Sequence, residues 1–456
     1  MNLDKCAEYI IGLLNENGYK AYAVGGCIRD MLLGIEPSSI DICTDAFPST
    51  LISIFNDNKL NAFETDIRYG TVSILASEKD IDKSSTDSKV RIYKVSTFIK
   101  SNTGDNVEFS SSLEDDLSRR DFTINALAFN SKDGLIDLYD GADDIKNKTI
   151  KCIGNAKQRI GKDKALIIRA IRYQAQLGFK IDSETHKQIN SISLDAYAIP
   201  QDQIKSEFEK LIVCKYAQDA LIDNKRAISK IIPEFKKTLE FDIGQNYNND
   251  NLYDHLVNCV SVLINKGEED LNLRIATLMH DIAKPVIFKN NDYNINESDS
   301  RNSLYSSIMA SEILRRLNFN DNVIDEVSAI IENFDIMITG KSSLKILLNR
   351  MKYETIVKIL ELKYANAMTK NIEYGKLGIV EYSNAVKWLK EIVDNKDFIT
   401  VSDLAISGKD LIQIGIRPGK IYSTILNDVL YNVINGTLKN NRDTLIGYVD
   451  KKYKIN

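Results

Sequence analysis

The sequence predicts an α+β N-terminal part, a mixed sheet with flanking helices, followed by an all-α remainder. Three observations carry this. A strand, a glycine pair, a short helix and a second strand succeed one another across residues 21–45. Alternating apolar and polar residues at Tyr69–Leu75 and Val90–Thr97 add two more strands. From about residue 155 apolar residues recur at helical spacing to the end.

The chain is too long, at 456 residues, for one ordinary domain. Its 43% hydrophobic and 27% charged residues are those of a globular protein rather than a disordered or fibrous one. No apolar run approaches a membrane span, and Met1–Lys5 lacks the apolar core of a signal peptide, so a cytoplasmic location is expected. The 6 cysteines include no Cys-x-x-Cys pair, which predicts reduced thiols. A net charge of −5 excludes a chain that is basic overall, so nucleic-acid binding must rest on local patches such as Lys146–Arg172.

Taken in order, residues 4–17 read as an amphipathic helix leading into the strand Ala21–Val24. Gly25-Gly26 then makes a tight turn, a helix ends at Gly34, and a strand carries Asp41 near its start. Glycines in such a turn let backbone N–H groups approach an anion, to which Arg29 can reach. Phe47–Asn56 reads as a helix, followed by the two alternating strands. Leu135–Tyr139 and Thr149–Ile153 close the first part near residue 150, and Asp163–Leu177 is helical. Asn246–Asn251 reads as a polar surface loop.

The string Val24-Gly-Gly-Cys-Ile-Arg-Asp-Met-Leu-Leu-Gly34 with Ser39-Ile-Asp-Ile-Cys-Thr-Asp45 resembles the class II tRNA nucleotidyltransferases, the CCA-adding enzymes and bacterial poly(A) polymerases. Leu113–Ala126, containing Ser118-Arg-Arg-Asp-Phe-Thr-Ile-Asn125, matches a second motif of that family nearly letter for letter. The resemblance implies a polymerase-β-like nucleotidyltransferase head followed by an all-α neck, body and tail, at 1–150, 151–215, 216–345 and 346–456. It implies that Gly25, Gly26, Arg29, Asp30, Arg120, Asp121 and Asn125 hold the incoming nucleotide, with Asp41 as the catalytic carboxylate on Mg²⁺. Arginine suits a triphosphate because its planar fork binds phosphate oxygens bidentately. Asp121 pairing with an arginine and Asn125 capping a turn is the equally weighted structural alternative.

The departures fall on functional positions. The family's first metal-binding aspartate aligns with Ser39, and its third acidic residue with Lys94. In the base-reading helix Asp163, Arg169 and Arg172 remain, but an arginine has become Leu166, which cannot donate to a base edge. Asp202-Gln-Ile204 lacks another arginine of the family. Lys94 either pairs with Asp41 where a metal would sit or points to solvent at a strand edge.

His255, His280-Asp281 and Asp335 resemble the HD phosphohydrolase signature, and Leu278-Met-His-Asp-Ile-Ala-Lys-Pro285 is its most specific string. The resemblance implies a divalent metal on these four side chains; the alternative is a vestigial bundle in which they satisfy one another. Two further histidines of such domains are replaced by Tyr305 and Phe334. Leu404–Leu411 and Ile416–Lys420 resemble the family's tRNA-binding tail.

Three functions follow: a family member that binds tRNA and ATP or CTP with weakened transfer, a fully active transferase with a compensating carboxylate such as Asp45 or Glu64, or a metal-dependent phosphohydrolase.

Overall fold

The computed structural model describes residues 2–81, 85–86, 88–103, 106–193, 198–244, 251–288 and 300–453. Of the predicted polar loop Asn246–Asn251, all but Asn251 lies outside the described residues. The chain divides into two compact units, Met1–Ile199 and Pro200–Asn456.

The first unit is built on strands β1 (Ala21–Val24), β2 (Ile40–Thr44), β3 (Asn61–Asp66), β4 (Thr71–Ala76), β5 (Arg91–Thr97), β6 (Ile99–Thr103), β7 (Asn106–Phe109), β8 (Leu127–Asn130) and β9 (Gly134–Asp137). Seven of them form one sheet in the order β3-β4-β5-β2-β1-β8-β9. Only β2 and β5 run parallel; the other neighbours are antiparallel. This is the mixed sheet the alternation predicted.

The helix Lys5–Glu16 buries Cys6, Ala7, Ile10, Ile11, Leu13 and Leu14, the stripe expected of an amphipathic helix. Asp4 caps it by accepting from the Ala7 N–H at 2.7 Å. The helix Pro48–Asp57 starts on its proline, which loses no hydrogen bond there. Between Tyr22, Val24, Cys43 and Ala128 of the sheet and Leu117 of the helix Leu113–Ser118 lies a buried cluster that seats the helix on one face.

Several expectations need correction. β5 is an interior strand, so Lys94 does not stand at a sheet edge. β3 and the β6–β7 hairpin escaped sequence reading; Asn61–Asp66 is an edge strand with no buried residue, so no apolar alternation marks it. The short strands β10 (Thr149–Ile150) and β11 (Lys180–Ile181) pair in parallel, tying the helical segment after residue 150 into the first unit.

The second unit is helical, as predicted. Within it Leu344, Leu347, Ile356, Leu360, Leu389 and Ile392 form one buried cluster, and Leu411, Ile425, Val429, Leu430, Leu445 and Val449 another. Among the described residues no helix is long and apolar enough to cross a membrane.

Candidate nucleotide site and a buried histidine cluster

The turn after β1 requires glycine. Gly25 sits at φ +81°, and a Cβ there would lie 2.8 Å from Arg120 Nη1. Its side-chain-free surface lets the Arg120 guanidinium close over the turn.

Arg29, expected at the anion, is instead 3% exposed. Its Nε and Nη2 donate to Asp30 Oδ1 at 2.9 and 2.7 Å, and its Nη1 donates to Asn125 Oδ1 at 2.7 Å. Asn125 Nδ2 donates onward to Asp121 Oδ1 at 2.9 Å. Arg169 Nη1 stands 3.7 Å from Asp121 Oδ2 and 4.0 Å from Asp163 Oδ2. These residues therefore form one polar chain from the glycine turn to the helix Ala165–Leu177. The Arg29 donors are thus taken up by Asp30 and Asn125 inside the protein.

The helix Ala165–Leu177 begins where Asp163 accepts from the Ala165 N–H at 3.0 Å. Leu166 is 3% exposed and belongs to its packed face, while Arg169 keeps partial exposure. Arg172 lies over the Tyr173 ring at 3.5 Å and donates to Gln176 at 2.8 Å. Gln176 and Tyr173 hold Arg172 to its own helix.

A cleft of about 490 Å³ opens on the sheet face, lined by Asp41, Asp66, Thr71, Lys94, Arg119 and Arg120 among others. Asp41 of β2 and Lys94 of β5 are partners in the parallel register. Successive side chains alternate faces, so these two share one. No nitrogen–oxygen approach within 4.0 Å joins them among the described residues, and the expected direct ion pair is not formed. Asp41 keeps solvent contact, yet the cleft walls raise its carboxyl above the usual range, against the pull of Lys94 and Arg120.

Asp116 also lines the cleft, but its oxygens are occupied. Arg119 donates to Oδ1 at 3.2 and 3.0 Å and Arg120 to Oδ2 at 3.2 and 2.9 Å, while the Ile99 N–H adds a bond at 3.2 Å. Burial raises this carboxyl, but the two guanidinium groups outweigh it and hold it below the usual range.

Ser39 precedes β2 and lines a different cavity, of about 430 Å³, with Asp4, Arg91 and Tyr93. Asp45 accepts from the Lys20 N–H at 2.8 Å. The carboxylate that sequence reading missed is Asp66, at the end of an edge strand that has no apolar alternation to reveal it.

In the second unit, His255 and His280 lie with their rings 5.7 Å apart, Asp281 Oδ2 is 3.4 Å from His280 Nε2, and Cys259 is a further ligand-bearing side chain beside the two histidines. Asp281 is engaged by Lys284 and by Asn302 Nδ2 at 2.7 Å, which occupies its oxygens with donors. Asp335 falls in a neighbouring cavity of about 370 Å³ with Lys363 and Lys370. Phe334 packs against His280 with ring centroids 4.9 Å apart, so an apolar wall stands where a second metal would need a ligand.

Burial lowers both imidazoles, so they are neutral near pH 7, and pushes the Cys259 thiol up to about 12. The signal for Cys259 was present in the sequence: it follows His255 by four residues on one helix, hence on one face.

A family model described as the Poly A polymerase head domain matches residues 21–151, and one described as tRNA nucleotidyltransferase domain 2, putative, matches residues 304–449. The CCA-adding enzyme of Ligilactobacillus salivarius is 30% identical over 457 residues, covering 97% of this chain and 95% of its own length. That of Leuconostoc mesenteroides is 28% identical over 442 residues, covering 96% and 94%.

Among solved structures, the Bacillus stearothermophilus CCA-adding enzyme in complex with CTP aligns with a TM-score of 0.66 at 23% identity, over 98% of this chain and 96% of that one. The Thermotoga maritima CCA-adding enzyme complexed with tRNA aligns with a TM-score of 0.62 at 19% identity, over 98% and 95%. At these identities the likeness is one of fold.

Proposed function

The chain belongs to the class II tRNA nucleotidyltransferases, the family of the CCA-adding enzymes, and from that premise we propose that it binds tRNA and a nucleoside triphosphate while transferring nucleotides only weakly. The observation that carries this is the composition of the head cleft. Asp41 has Lys94 as its register partner, and Asp116 is consumed by Arg119 and Arg120. Family members depend on a divalent metal in general, and two-metal transfer needs carboxylates that hold a pair of ions in tight octahedral geometry. This donor set does not fit a pair.

One hard cation fits better, with Asp41 and Asp66 as carboxylates and the hydroxyls of Thr71 and Ser96 beside them. Magnesium held there would offset charge on the leaving pyrophosphate. The protein's own part is to hold the triphosphate against Arg119 and Arg120 and to present the base to Asp163 and Arg169. With Leu166 in the packed face, selection between cytosine and adenine rests on fewer donors.

We further propose the division into head (1–150), neck (151–215), body (216–345) and tail (346–456), with the tail around Ile416–Lys420 contacting tRNA. The CTP and tRNA complexes named for the structural neighbours support these partners.

The test is incorporation of labelled CTP or ATP into tRNA lacking its terminal CCA, with the L. salivarius enzyme assayed alongside. A rate at least about a hundredfold lower is expected, the scale of losing one electrostatic contributor to a transition state. Equal rates overturn the proposal. Retention of tRNA on gels, weakening steeply with salt, tests binding independently of turnover.

A second reading has one observation in its favour. Asp66 lines the cleft and would replace the missing carboxylate, in which case the chain incorporates nucleotide at a rate like that of the L. salivarius enzyme and Asp66→Asn abolishes it.

A further inference from the structure

We propose that the cavity of about 370 Å³ in the second unit binds a small zwitterion, a free α-amino acid with an apolar side chain. Every residue lining it lies between Phe334 and Ala385, inside the unit Pro200–Asn456. Its volume is that of a small-molecule pocket.

One wall is a face of the helix Tyr353–Thr369. Leu360, Lys363, Ala367 and Lys370 recur at spacings of three and four, with Asn366 beside them. A second wall is the helix Ile372–Asp394, which Gly375 and Gly378 let approach the first. A Cβ at Gly375 would lie 2.8 Å from the Ala367 carbonyl oxygen, and one at Gly378 would lie 2.7 Å from Ala367 Cβ. Close helix packing therefore fixes the spacing of the two walls.

Two polar side chains of the lining lack a hydrogen-bonding partner. Asn366 is 8% exposed, and its Oδ1 accepts from no donor among the described residues. The half-buried Lys363 ammonium lies 5.4 Å from the Phe334 ring centroid and makes no hydrogen bond or ion pair within 4.0 Å among the described residues. Asp335 attracts that ammonium without coming within ion-pair distance, and itself accepts from Ser303.

An amide oxygen can only accept and so calls for a donor; an ammonium can only donate and so calls for an acceptor. A carboxylate answers Lys363, an ammonium N–H answers Asn366 Oδ1, and an α-amino acid carries both on one carbon. The charges of the lining balance, Lys363 and Lys370 against Asp335 and the exposed Glu381. A zwitterion preserves that balance, whereas a phosphate dianion upsets it. Ile336, Ile338, Leu360 and Leu377 supply apolar surface for the side chain of the ligand.

The experiment titrates the full chain by calorimetry with L-leucine, L-methionine and L-phenylalanine, with their deaminated and decarboxylated counterparts, and with AMP. At least one amino acid should bind with a dissociation constant below about 1 mM. Removing its amine or its carboxylate should weaken binding by at least about tenfold, the scale of one hydrogen bond to a charged group. Lys363→Met and Asn366→Leu should each do the same, whereas Lys376→Met, at an exposed position outside the lining, keeps the affinity. If Asn366→Leu does not fold, Lys363→Met and the series of counterparts carry the test. No binding by any of the three amino acids, equal binding of a deaminated or decarboxylated counterpart, tighter binding of AMP, or unchanged affinity in Lys363→Met overturns the proposal.

Discussion

Asp41 and Lys94 stand opposite one another on adjacent parallel strands, on the same face of the sheet, without forming an ion pair. Where relatives are expected to cage cations, a lysine ammonium faces the remaining aspartate. Reversing that charge is the direct test. Lys94→Glu should raise nucleotide incorporation by about tenfold or more, since about 1–2 kcal/mol of electrostatic change is realistic in a partly screened cleft. Incorporation of labelled CTP and ATP measures it; an unchanged or lower rate counts against the role given to Lys94.

Gly25→Ala should displace Arg120. The new methyl would meet Arg120 Nη1 at 2.8 Å, on a backbone already at φ +81°. A loss of about 1–2 kcal/mol in stability is expected from the strained backbone alone. Nucleotide affinity should fall with it, which fluorescence titration with a labelled ATP analogue reads.

Leu166→Arg should not restore base selection. The position is 3% exposed, so the guanidinium would enter the packed face of its helix. The expected outcome is destabilisation by about 2–4 kcal/mol, read by thermal or urea unfolding, with no gain in the CTP-to-ATP preference. A stable variant with sharpened preference would show the face to be open.

Asp116 gives the chain a pH dependence. Its folded carboxyl is below the usual range, so it contributes stability that is present above the unfolded value near pH 4 and is lost as pH falls through the folded one. Asp116→Asn should flatten that acid limb in urea titrations. At neutral pH it should cost about 3–5 kcal/mol by leaving Arg119 and Arg120 without their partner.

Much was legible in the residues themselves. The glycine turn, the strands at 21–24, 40–44, 71–76 and 91–97 and the helical second half follow from local rules of turn chemistry and apolar period, which need no knowledge of distant partners. The motif strings that carry family membership are likewise local, and so was the substitution of Ser39 and Lys94.

Only the tertiary structure decided what those side chains meet. Arg29 belongs to a chain of hydrogen bonds reaching Asn125 and Asp121, about a hundred residues away, which no spacing rule anticipates. β3, with no buried residue, is a strand because β4 pairs with it, and that pairing delivers Asp66 to the cleft. Cys259 comes close to His255 and His280 because helix packing sets which side chains converge, and packing is a long-range property of the folded chain.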